Sequence, residues 1–212
     1  MNILRNPHVL IALLCFLAVS HAAAQQKTDL APLGFAFGIS DDDAEEIIET
    51  NGKRIMDNKV DSKKIRTIVM QGIIATLPLD LEGRDVSTGL EFYDDKLLSS
   101  SLMLTTKDQF EESRLRDEFM KYLTDKYGEP QSSDSMLYFK TWTWNIPDVK
   151  LVFHTNQKKN AIKVEYTYEP YNQAKREEEL DKLRGTEVKD PAQQMFLDGD
   201  YSKPKYYDET GH

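Results

Sequence analysis

His154 is the one imidazole placed where it could work inside a folded domain. His8 and His21 lie in the first two dozen residues, and His212 is the last residue of the sequence. A Ser-His-Asp relay would have to be built on His154, and no G-x-S-x-G segment supplies its nucleophile. Histidines so placed form no H-E-x-x-H zinc pattern. The sequence also lacks a P-loop and a G-x-G-x-x-G turn. Carboxylates are plentiful, 36 against 27 Lys and Arg. A glycosidase-like acid/base pair needs two of them at a set separation, and nothing in the order of residues selects a pair. No catalytic residue, cofactor-binding residue or metal ligand is assigned, and no cofactor is expected.

Two aspartate clusters could bind a cation or simply shape the backbone. Asp41, Asp42 and Asp43 follow Ser40. The EF-hand spacing and its closing Glu are absent, so the triplet reads as the first turn of a helix. Asp94 and Asp95 sit between two alternating apolar runs and read as a hairpin turn.

The segment from Leu137 to Trp144, LYFKTWTW, is the most unusual string. Tyr138, Trp142 and Trp144 share one strand face by parity, and Leu137 and Phe139 the other. An exposed aromatic platform with Lys140 beside it would bind a protein or glycan partner. A central strand covered on both sides would use the same aromatics as core. Tyr138, Lys140, Trp142 and Trp144 are therefore the candidate binding surface, with burial the competing explanation.

These residues need a compartment and a scaffold. Arg5 precedes an apolar run from Val9 to Val19, and Ala22, Ala23 and Ala24 follow. That order predicts a cleaved signal peptide over residues 1–24, cut after Ala24, or else after Ala22. The run is about half what a bilayer-spanning helix needs. Cys15 is preceded by Leu14 and lies within the apolar run, so it is not a lipidation site. Its loss with the leader would leave no thiol and no disulfide. Removing Arg5 takes the formal net charge from -9 to -10. Such a charge opposes binding to nucleic acid or anionic lipid surfaces. The chain is expected to be periplasmic or secreted, with no stable membrane anchor.

After a flexible stretch at 25–32, the pattern predicts one α+β domain at 33–168. A strand over Leu33–Ile39 precedes a helix from Ser40 that ends at Gly52. A strand over Ile65–Ile74 follows, then an edge or loop around Pro78, then a hairpin turning at Asp94–Lys96. A second helix runs from Lys107 to Tyr127 and is capped by Gly128. Three strands follow at Leu137–Trp144, Val149–Thr155 and Ala161–Tyr168. The order suggests two α-β-β-β halves, 33–105 and 107–168, forming an antiparallel sheet covered by helices. A charged helix at 170–184 and a disordered tail at 185–212 complete the chain. The apolar island at Met195–Leu197 in that tail could bind a partner or pack back on the sheet.

The segment GFAFGISDDDAEEIIETNG, with L-x-x-K-Y-G-x-P before three strands, resembles small bacterial envelope domains. The helix-then-sheet repeat is similar to the tandem fold of beta-lactamase inhibitor protein-like domains and the related outer-membrane assembly lipoprotein domain. The chain departs from them in lacking disulfides and a lipobox. The resemblance implies a binding module and transfers no functional residue. The expected function is an exported, soluble, non-catalytic binding or scaffold module, its partner another envelope or secreted protein. A small carboxylate-dependent hydrolase and an inhibitor of a secreted enzyme are the alternatives.

Overall fold

The computed structural model describes residues 32–62 and 64–186. The expected signal peptide at 1–24, the stretch at 25–31 and the expected disordered tail beyond 186 lie outside the described residues. The chain divides into two units, one ending at Asn172 and one beginning at Gln173.

Helix α1 (Asp41–Thr50) begins where Ser40 accepts a hydrogen bond from the Asp43 amide at 3.1 Å. The aspartate triplet fills its first turn, where negative charge opposes the helix dipole. Strands β1 (Ile55–Ser62), β2 (Ile65–Gln71), β3 (Val86–Tyr93) and β4 (Lys96–Thr105) follow. Helix α2 (Gln109–Tyr127) comes next, capped by Asp108 at its start and Gly128 at its end. Strands β5 (Ser132–Met136), β6 (Phe139–Ile146), β7 (Val149–Asn156) and β8 (Ala161–Tyr168) complete the sheet. Helix α3 (Glu169–Thr186) crosses the boundary between the units. Within the second unit, Lys182 pairs with Glu178 one turn away at 2.8 Å.

The eight strands form one antiparallel sheet in the order β1-β2-β3-β4-β8-β7-β6-β5. The α+β class is as the pattern suggested. Four strands follow each of α1 and α2, not three, because β1 and β5 are additional edge strands. The expected strand at Leu33–Ile39 is instead a run of turns. Gly34 and Gly38 hold φ of +94° and +84°, which extended backbone does not allow. The expected strand at Leu137–Trp144 is also shifted. Leu137 (φ +51°) and Tyr138 form a tight turn, and β6 starts only at Phe139. Gly185 does not stop the last helix, which continues to Thr186.

One face of the sheet carries both helices. Leu102, Leu104, Leu151, Phe153, Ile162 and Val164 pack with Leu115, Phe119 and Leu123 of α2. A second cluster joins Ala44 and Ile48 of α1 to Ile68, Met70, Leu90 and Phe92. In β7 and β8 burial alternates strictly, so Lys150, His154, Lys163 and Glu165 face the other way. Neither α1 nor α2 packs on that second face. Its centre is built from small residues, and a Cβ at Gly89 would come within 3.0 Å of Ser101 Oγ. Ser99 and Ser101 are nevertheless buried there, as expected of a concave surface.

Candidate functional site

The four candidate residues do not form a platform. Trp144 is fully buried, and its indole N–H donates to the Gly128 carbonyl at 2.8 Å. Trp142 is partly covered and stacks on Phe153 with ring centroids 5.3 Å apart. Both point into the helix-covered layer, whose core requires large side chains against α2. Trp144 is therefore not part of an exposed surface. Lys140 starts the same strand and shares its face by register with Thr155. Tyr138 alone is well exposed, because it occupies the turn before β6.

The exposed apolar residues gather elsewhere, at the end of the sheet where β4, β5 and β7 finish and β6 and β8 begin. Six of the nine large apolar side chains that stand exposed among the described residues lie there. They are Met56, Phe110, Met136, Leu137, Tyr138 and Phe139. Leu137 is 87% exposed and Phe110 82%. Sequence reasoning missed this group because it placed Leu137 and Tyr138 within the strand and read Phe110 as helix core. The positive-φ turn at Leu137 left no glycine or asparagine to signal it.

Three connections present this end, and backbone hydrogen bonds tie them together. The Gln157 amide donates to the Tyr138 carbonyl at 2.9 Å, joining the β7–β8 turn to the β5–β6 turn. The Thr106 amide donates to the Asn160 carbonyl at 2.7 Å, joining the same turn to the start of α2. The Lys159 amide donates to Asn156 Oδ1 at 3.1 Å, which closes the β7–β8 turn on itself. The tips are thus held in a fixed arrangement.

Behind Phe139 a recess of about 490 Å³ opens on the face opposite α1 and α2. Met56, Ser87, Met103, Phe139, His154 and Lys163 are among its walls. Six strand-to-strand steps separate β1 from β6, roughly 29 Å in a flat sheet. Met56 and Phe139 line one recess only because the sheet curls.

His154 supplies most of the polar character of this wall. Its Nδ1 lies 3.0 Å from the Thr141 hydroxyl. Burial pushes the imidazole below its ordinary value of 6.5; Glu165 opposes that shift, and Lys163 and Lys150 reinforce it. Lys163 pairs with Glu165 at 2.6 Å. A neutral imidazole held by a hydroxyl can donate or accept one hydrogen bond into the recess. Asp85 is the one carboxylate on this lining, so no acid pair faces the cavity. Among the described residues no group of three or more His, Cys, Asp or Glu is arranged to hold a metal ion. Also among them, no helix is long and apolar enough to cross a membrane.

Comparison with protein-family models, curated proteins and solved structures returned no match.

Proposed function

We propose that this chain is an exported, non-catalytic binding or scaffold module that meets its partner with the apolar end of its sheet. One observation carries the reading. Among the described residues six of the nine exposed large apolar side chains lie at this end of the sheet, four of them consecutive on the β5–β6 hairpin, whose turn is hydrogen-bonded to the β7–β8 turn. Contiguous exposed apolar residues of this kind mark interaction sites. The leader over residues 1–24 supports export, which places the partner in the periplasm or outside the cell.

The reading agrees with two related halves, 33–105 and 107–168, each now a helix and four strands. The strand order reads the same from either edge once β1–β4 are matched to β5–β8. This supports the tandem resemblance noted from the sequence. An inhibitor is a special case of the same reading, with the Leu137 turn entering an enzyme's cleft. The hydrolase alternative draws no support from the recess, which has a single carboxylate on its wall.

Capture from envelope extract tests the proposal. The chain should retain a partner above control, and the double variant Leu137→Asp/Phe110→Asp should lose it while keeping its circular dichroism spectrum. Equal capture by both forms, or no capture by either, would overturn it.

A further inference from the structure

We infer that the partner of this end is an anionic lipid surface, into which the Leu137 turn and Phe110 insert while a set of lysines contacts the headgroups. The inference rests on the binding reading above and names its partner.

The lysines are the second observation. Lys158 and Lys159 occupy the β7–β8 turn that bonds to Tyr138. Lys107 follows Thr106, which bonds to the other side of that turn. Lys140 immediately follows Phe139. Lys140, Lys158 and Lys159 make no ion pair among the described residues, whereas Lys107 acts electrostatically on Glu111. Asp108 Oδ1 accepts from the Glu111 amide at 2.8 Å, and Glu111 binds Arg84 and the Lys107 amide. Lys140, Lys158 and Lys159 thus place three positive charges without an ion pair beside the β5–β6 hairpin, against the formal net charge of -9 of the whole chain.

That combination fits a lipid interface better than a protein groove. Leu137 and Tyr138 stand on a turn tip and Phe110 on the first turn of α2, and none of the three lines the recess. Leu and Phe can enter the acyl boundary, Tyr suits the headgroup level, and lysine stems reach past apolar atoms to phosphate. The attachment is peripheral and reversible, since a few side chains replace a spanning helix.

Sedimentation with vesicles tests the inference, using exported chain purified from its own compartment. Vesicles of phosphatidylcholine with about 30% phosphatidylglycerol should bind it, and phosphatidylcholine alone should bind far less. Lys140→Gln, Lys158→Gln and Lys159→Gln should each weaken binding about fivefold. Leu137→Asp and Phe110→Asp should reduce it to background with unchanged circular dichroism. Added salt should weaken wild-type binding. No binding of wild type to the anionic vesicles would overturn the lipid inference. So would binding that the lysine and apolar substitutions leave intact. If capture from extract still depends on Leu137 while the vesicles fail, the partner is a protein and the binding reading survives alone.

Discussion

The two ends of the sheet solve opposite problems. At the end carrying the N-terminus of α1 and the β3–β4 turn, polar groups satisfy one another. Arg66 binds Asp41 and, at 2.5 Å, Glu45, and its Nε donates to Asn58 at 3.0 Å. The Asn58 amide returns a hydrogen bond to Glu45 at 2.8 Å. The small recess there, about 200 Å³, includes Asp41, Arg66 and Asp95 on its wall. Near that end Trp144 is buried with its N–H satisfied. At the opposite end six large apolar side chains stand exposed, and Lys140, Lys158 and Lys159 beside them form no ion pair among the described residues. The contrast separates residues that hold the fold from residues left available to something else.

Substitutions should respect that division. Trp144→Ala removes a fully buried indole and should cost about 4 kcal/mol in urea denaturation. Leu137→Ala at the exposed tip should stay within about 0.5 kcal/mol of wild type. A large loss at Leu137 would mean that the tip is structural after all. Arg66→Ala should cost about 2 kcal/mol, because it leaves Asp41 and Glu45 without their shared cation in a half-buried site. A change below about 0.5 kcal/mol would place the cluster among ordinary surface ion pairs.

Glu112 is the internal exception at the apolar end. It lies in the first turn of α2, fully buried, and neither carboxylate oxygen accepts a hydrogen bond. Arg116 stands 3.7 Å away. Glu112→Met should raise stability by about 1–2 kcal/mol, read as a higher urea midpoint, since it removes the desolvation penalty. A fall would indicate that the carboxylate holds something the fold needs.

The smallest expected effect is at His154. Its folded imidazole titrates below 6.5, so the unfolded chain takes up a proton first as pH falls. Stability from this group is therefore complete above 6.5 and declines as pH drops from there toward the folded value. His154→Gln should flatten that part of the pH–stability curve. A steeper curve in the variant would contradict the burial argument.

Much of this fold was legible because buried strands print their alternation into the sequence. β7 and β8 alternate between core residues and Lys150, His154 or Glu165, and α2 repeats Leu115, Phe119 and Leu123 along its buried face. The Asp94–Asp95 turn was equally clear, with φ of +52° and +59° at the two residues. The edge strands were not. IMDNKVDS and SSDSM pair on one side only, bury no strong apolar row, and read as polar connections. The site was hidden for a related reason. Parity placed Tyr138, Trp142 and Trp144 together, but parity cannot tell a covered face from an open one. It also fails at a turn, which is where Leu137 and Tyr138 lie. Bringing Phe110, Leu137 and Lys158 to one end depends on sheet order, which no local pattern encodes.

Site-specific photo-crosslinking in the producing cell would test the central claim most directly. A photoreactive side chain at Leu137 should yield a lipid or protein adduct, and one at Asp94, equally exposed at the other end, should yield none. Adducts from Asp94 with none from Leu137 would show that the molecule engages its surroundings through the opposite end.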